Sequence, residues 1–244
     1  MKRNIITTSD GSKTIQIEEW DEQYHSIHGA IQEAKHVFIK HGLHHFCHSE
    51  RSEESQAQII PSSNVISSTV EKSQVISILE IGFGTGLNAF ITLLEAEQLN
   101  ININYVGVEA YPVLKDEITQ LNYAEELHAD KNLFLKLHQI NWEKPHQITD
   151  KFKLTKQQKY FKDISEVNTF NLIYFDAFGA RVQPELWTET MFEKMNTALK
   201  ENGVLVTYSA KGSVRRAMQS VGFTVERLPG PPGKREMLRA SKIV

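Results

Sequence analysis

The chain carries one cysteine, Cys47, among 244 residues. A single thiol excludes an internal disulfide framework and any zinc site built from several cysteines, and it suits a reducing compartment. No apolar run approaches the ~18 residues of a membrane span. The opening stretch MKRNIITTSDG lacks the apolar segment of a secretory signal. A cationic surplus is missing too: 27 Lys+Arg against 30 Asp+Glu leave a formal net charge of −3. Only a local basic patch could therefore serve a nucleic acid. Internal repeats at solenoid periods are also absent. Together these absences lead to the expectation of a soluble, cytoplasmic protein with no membrane partner. Hydrophobic residues at 40% suffice for a proper core.

Three stretches differ in character. Residues 1–47 read as a hairpin followed by a helix: Ile5–Thr8 and Thr14–Ile17 flank Asp10-Gly11, and Ile31, Ala34 and Phe38 share one helical face up to an expected stop at Gly42. Residues 48–74 form a Ser-rich insertion or loop; eight of the 26 residues 48–73 are serine. Residues 75–244 alternate strand and helix. Val75–Ile81, Tyr105–Val108, Leu133–Ile140, Asn171–Phe175 and Val204–Tyr208 read as strands. Helical spacing covers Leu87–Leu94, residues 112–128, the segment from Pro184 to Leu199 with Gly203 after its end, and residues 213–221. Phe223–Leu228 and Arg235–Ala240 close the chain around a Pro/Gly turn, while 143–168 resist assignment. Such alternation predicts a doubly wound α/β sheet.

The informative segment is Glu80-Ile81-Gly82-Phe83-Gly84-Thr85-Gly86, between an apolar strand and an amphipathic helix. Glycines there permit a tight bend and a close backbone approach to a ligand, and the helix start offers free N–H groups. Leu87 stands where a dinucleotide fingerprint needs its last glycine. The E-x-G-x-G-x-G spacing instead resembles the first motif of class I S-adenosylmethionine-dependent methyltransferases. Glu109 ends the second strand, where a carboxylate can accept hydrogen bonds from a ribose diol. Asp176 ends the fourth, facing the same crevice, where it can accept a proton from an amine. The blander alternatives are a plain turn for the glycines, a buried structural carboxylate for Glu80, and helix or turn caps for Glu109 and Asp176.

Further words extend the likeness: Leu87-Asn88, Asp176-Ala-Phe178, Pro184-Glu-Leu-Trp187, Ser209-Ala-Lys-Gly-Ser-Val-Arg-Arg216, Gly222-Phe223 and Gly233-Lys-Arg-Glu-Met-Leu238, with Tyr24-His25-Ser26 and Glu33…His36-Val37-Phe38 near the start. In order and spacing, the set resembles the methyltransferase part of the tRNA-modification enzymes of the MnmC family and their stand-alone MnmD relatives. The resemblance implies a seven-stranded Rossmann-like sheet whose last strand is antiparallel. It implies methyl transfer from S-adenosyl-L-methionine to the amino group of 5-aminomethyl-2-thiouridine at the tRNA wobble position. Carried over by residue, Glu80, Gly82, Gly84, Gly86, Asn88 and Glu109 would line the cofactor, and Asp176 would orient or deprotonate the amine. Tyr24 and Phe178 would face the substrate, with Trp187 either shaping the pocket or packing in the core. Lys211, Arg215, Arg216, Lys234 and Arg235 are the candidates for RNA phosphates. Ala180 departs from the proline usual in the family, which leads to the expectation of a looser turn at Gly179-Ala180.

No flavin-dependent oxidase segment is recognisable, so methyl transfer alone is expected. The N-terminal histidines match no strong ligand pattern, and no metal is expected. No obligate protein partner can be inferred. Two other readings stay open: a class I methyltransferase acting on a small-molecule or protein amine, and an inactive RNA-binding or scaffold protein that kept the fold.

Overall fold

The computed structural model describes residues 2–48 and 75–243. The N-terminal hairpin is present: β1 (Arg3–Thr7) pairs antiparallel with β2 (Lys13–Ile17), and Gly11 turns between them at φ +86°. A two-residue β3 (Glu22–Gln23) adds to β2. Helix α1 (Ala30–Ala34) does not stop at Gly42 but runs on through wider π turns over Lys35–His44. Lacking a side chain, Gly42 instead lets the helix lie close on the sheet: a Cβ there would stand 3.1 Å from Val206 Cγ2 and 3.2 Å from Tyr174 Cε1. Apart from His48, the expected Ser-rich insertion lies outside the described residues.

Strands β4 (Val75–Ile81) and β5 (Asn102–Val108) and helix α2 (Leu87–Leu99) form where the apolar pattern puts them. The helix expected over 112–128 is instead two single turns, α3 (Lys115–Ile118) and α4 (Tyr123–Glu126). Asn122 separates them because its side chain serves the hairpin, accepting from Lys13 N at 2.7 Å and donating to Gly11 O at 3.0 Å.

Leu133–Ile140 is not a strand: Leu133–Gln139 lies within α5 (Lys131–Gln139), and Ile140 ends it. Asp130 caps it by accepting from Asn132 N at 2.8 Å, and Phe134 and Leu137 are buried one turn apart. The strand beyond β5 is β7 (Phe152–Gln157), with β6 (Pro145–Gln147) antiparallel on its outer edge. After β8 (Phe170–Phe175) the expected helix breaks in two: a 3₁₀ turn at Pro184–Trp187, then α6 (Glu189–Ala198), capped by Thr188. Leu199 and Gly203 belong to β9 (Leu199–Thr207), not to a helix and its stop. Helix α7 (Gly212–Ser220), β10 (Phe223–Pro229) and β11 (Glu236–Lys242) complete the chain.

The main sheet has the order β10-β11-β9-β8-β4-β5-β7-β6. It holds eight strands, not seven, because β6 extends the edge. As expected, the last strand is antiparallel, running between β9 and β10. This is the class I methyltransferase fold. One face packs Phe38, Phe90 and Phe134 onto Tyr105 and Tyr174; the other packs Phe192 and Met195 of α6 and Val214 and Met218 of α7 onto Leu79, Ile173 and Phe175. Each such side chain contributes about 1.5–3 kcal/mol by leaving water. Among the described residues no helix is long and apolar enough to cross a membrane. The chain leaves β4 for β5 on one side and returns to β8 on the other, which opens a crevice at the carboxyl ends of these strands.

Candidate active site

Three left-handed glycines make the bend after β4: Gly82 at φ +91°, Gly84 at +47° and Gly86 at +72°. Gly82 N and Phe83 N both donate to Val108 O at 3.0 Å, tying the bend to the end of β5. Glu109, the residue after Val108, accepts from Gly84 N at 3.0 Å through Oε2 and from Tyr111 N at 2.9 Å through Oε1. Burial raises its pKa, and the two backbone donors oppose the rise.

Behind the bend sits a second acidic group. Asn88, in the first turn of α2, donates through Nδ2 to Glu80 Oε1 at 2.9 Å and to Asp176 Oδ2 at 2.8 Å. Its own Oδ1 is buried with no hydrogen-bond partner among the described residues. Glu80 is fully buried beside Tyr105, and burial, with the Asp176 charge adding to it, holds its carboxyl well above the usual range. Asp176 opens partly onto the crevice. Enclosure, reinforced by the Glu33 carboxylate, pushes it up to about 7 against the Asn88 hydrogen bond and the Lys234 charge.

The N-terminal hairpin supplies the facing wall. Tyr24 covers Gly84, where a Cβ would stand 3.0 Å from Tyr24 Cδ1. Phe178 meets the Tyr24 and Trp20 rings edge-on, with centroids 5.0 and 5.4 Å apart. Lys234 forms an ion pair with buried Glu33 and lies 4.0 Å from the Tyr208 ring centroid. The open cavity between these walls measures about 1450 Å³.

Gly82, Gly84, Asn88, Glu109, Asp176, Tyr24, Phe178, Lys211 and Lys234 line this cavity. The remaining sequence candidates do not. Glu80 lies beneath the floor, and Gly86 faces His138. Trp187 is a core residue whose Nε1 donates to Phe178 O at 2.8 Å. Arg215, Arg216 and Arg235 stand on the outer surface, Arg235 almost fully exposed. The Gly179-Ala180 turn is not loose. Val182 N and Gln183 N close it on Gly179 O, and Arg181 clamps it to Trp20 O and Asp21 O at 2.8 Å each. Glu33, Tyr208 and Trp20 also line the cavity. Sequence reasoning gave them no role; only the Glu33…His36 word hinted at the first.

A family described as S-adenosyl-L-methionine-dependent methyltransferase matches residues 120–243. The chain belongs to this family. The methyltransferase is 26% identical over 227 residues to the tRNA 5-methylaminomethyl-2-thiouridine biosynthesis bifunctional protein MnmC of Hydrogenovibrio crunogenus, covering 89% of this chain and 31% of the relative. It is 30% identical over 174 residues to the protein of that name from Leptospira borgpetersenii, covering 66% of this chain and 26% of the relative. It thus spans about a third or less of these relatives' length. The crystal structure of MnmC2 from Aquifex aeolicus superposes with a TM-score of 0.70 at 25% identity, covering 98% of this chain and 70% of that one. The MnmC-type resemblance read from the sequence is borne out.

The residues present fit the family's methyl donor. Gly82 and Gly84 leave the bend bare, since a Cβ there would strike Asp176 O or the Tyr24 ring, Glu109 brings a buried carboxylate to the cavity, and Asn88 keeps a buried, unpartnered Oδ1 beneath it. Among the described residues no group of three His, Cys, Asp or Glu side chains is placed to hold a metal ion.

Proposed function

We propose that this methyltransferase methylates the amino group of 5-aminomethyl-2-thiouridine at the wobble position of tRNA, giving 5-methylaminomethyl-2-thiouridine. The observation that carries the reading is Asp176. It is a carboxylate pushed up to about 7, fixed beside the glycine bend and facing an aromatic wall. The MnmC relatives, named for tRNA 5-methylaminomethyl-2-thiouridine biosynthesis, support the same product. A tRNA substrate makes the cytoplasm the place of the reaction.

Gly82, Gly84, Asn88 and Glu109 would hold S-adenosyl-L-methionine, whose sulfonium supplies an already activated methyl group. The residues of the chain then have two tasks. One is alignment: Tyr24, Phe178 and Trp20 give a flat base a stacking surface at the mouth. The other is proton management. An alkyl ammonium titrates near ~10 and is not nucleophilic. Asp176 accepts its proton, so an N–H bond breaks as the carboxylic acid forms. The freed lone pair then makes the C–N bond while the donor's C–S bond breaks. Asn88 holds the Asp176 carboxylate on line through Oδ2.

The test is nucleoside analysis of tRNA bearing 5-aminomethyl-2-thiouridine after incubation with the protein and S-adenosyl-L-methionine. Conversion to the methylaminomethyl nucleoside is expected. Unchanged tRNA, together with methylation of a protein or a small amine, overturns the reading in favour of another acceptor.

A further inference from the structure

Glu33 and Lys234 lie 201 residues apart in the chain and meet at the wall of the cavity that holds Asp176. Glu33 belongs to α1. One of its oxygens accepts from Ser26 N at 2.9 Å, and the other pairs with Lys234. Lys234 belongs to the turn between β10 and β11, and its ammonium rests on the Tyr208 ring. This turn docks on the N-terminal segment at two further points: His36 Nε2 lies 2.8 Å from Pro229 O, and Gly233 packs so close to His28 that a side chain would collide with the ring. The pair is therefore fixed in place from both ends of the chain.

A buried carboxylate needs a partner, and one near a second carboxylate disfavours the charge on its neighbour. Five elements bring titratable or polar groups to Asp176: Asn88 from α2, Glu80 from β4 with Tyr105 of β5 behind it, Glu33 from α1, Lys234 from the turn, and Tyr208 after β9. Asn88 and Glu80 are locked to one another. Tyr208 donates to Ala177 O at 2.9 Å, and burial keeps its hydroxyl protonated. Glu33 and Lys234 are the two charges left to act on Asp176 from across the cavity, with opposite signs. His25 faces the same pair, but burial pushes its imidazole down to about 4, so it stays neutral.

We propose that Glu33 and Lys234 are a positioning pair for the proton acceptor Asp176. The Glu33 carboxylate strengthens Asp176 as a base, and the Lys234 ammonium balances Glu33 in its buried seat and limits the effect. This inference deepens the proposed function, because it needs an acceptor that must lose a proton.

The test is the pH dependence of single-turnover methyl transfer to tRNA bearing 5-aminomethyl-2-thiouridine, with the enzyme saturated in S-adenosyl-L-methionine. Glu33→Gln removes the carboxylate that raises Asp176 and leaves Lys234 unbalanced, so the rising limb moves to lower pH by about one unit. Lys234→Met removes the opposing cation and moves the limb the other way. Lys234→Arg, which keeps the charge, returns the limb to the wild-type position. A Glu33→Gln enzyme that loses rate uniformly, with its limb at the wild-type pH, overturns the inference and leaves the pair as a structural tie. Should Lys234→Met fail to fold, Glu33→Gln and Lys234→Arg still decide. A wild-type enzyme inert on this tRNA overturns the proposed function instead, so the two failures are distinguishable.

Discussion

Asn88 Nδ2 lies 2.8 Å from Asp176 Oδ2, so the helix that starts at the glycine bend also orients the carboxylate at the end of β8. The proposed donor cradle and proton acceptor are thereby one mechanical unit. Asp176→Asn keeps an oxygen for Asn88 but cannot take a proton. Turnover should fall by about 10²–10⁴-fold, the usual worth of a positioned base, while calorimetric titration with S-adenosyl-L-methionine stays within a few-fold of wild type. Stability should move oppositely. The folded pKa of Asp176 is raised to about 7, so ionising it costs stability above its unfolded value, and the cost grows until pH 7 is passed. Asp176→Asn should therefore raise Tm at pH 8, with the gain shrinking towards pH 4. A gain equal at both pH values would assign it to some other group.

Glu80 tests whether the buried partner is a neutral acid. Burial and the nearby Asp176 charge both favour the protonated form. Glu80→Gln keeps an oxygen for Asn88 and adds no charge, so Tm should change by only a few degrees. Glu80→Ala leaves one of the two Asn88 N–H groups without a partner, at about 1–3 kcal/mol, and opens a cavity besides. Chemical denaturation of the two variants separates these outcomes. Equal destabilisation by Gln and Ala would mean that the carboxylate is charged.

Much of this arrangement was legible because its signals are local. The strand–glycine–helix junction at Glu80–Leu87, the carboxylate ending β5 and the Asp176-Ala-Phe178 word each sit within a few residues. What escaped depends on distant packing. Leu133–Ile140 reads as an apolar run of ambiguous period, and only the Asp130 cap marks it as helix. Strand β7 is disguised by a buried lysine. Lys156 takes a core position because its ammonium donates to His138 O at 2.8 Å and rests on the Trp142 ring, partners no local pattern announces. The pairing of Glu33 with Lys234 is hidden for the same reason. Lys234 reads as a phosphate ligand until the fold gives it a carboxylate.

Gly82 couples the two halves of the site from the other direction. A Cβ on it would stand 2.7 Å from the Asp176 carbonyl oxygen, and its φ of +91° is one that side chains rarely adopt. Gly82→Ala must displace backbone on both strands, at about 1–3 kcal/mol of strain. Affinity for S-adenosyl-L-methionine and turnover at saturating donor should both fall, each by tenfold or more, in contrast to Asp176→Asn, which spares affinity. A variant with weakened donor binding and normal saturated turnover would break the link between the bend and Asp176.

The RNA footprint should follow the surface cations, including Lys211, which is exposed while it lines the cavity. Arg215 and Arg216 ride on α7, Lys211 sits at its start, and Arg235 projects from the last turn. Lys234 differs from these, since Glu33 already balances it. Phosphate contacts release counter-ions, so each one lost lowers the slope of log K against log salt by about 0.7–0.9. Charge reversal at Lys211, Arg215, Arg216 and Arg235 should therefore weaken tRNA binding and flatten its salt dependence in filter-binding titrations. Lys234→Met should leave the slope at its wild-type value even as it moves the pH limb. A flattened slope in Lys234→Met would place its ammonium on the RNA backbone, and unchanged slopes in the four reversals would move the footprint to another face.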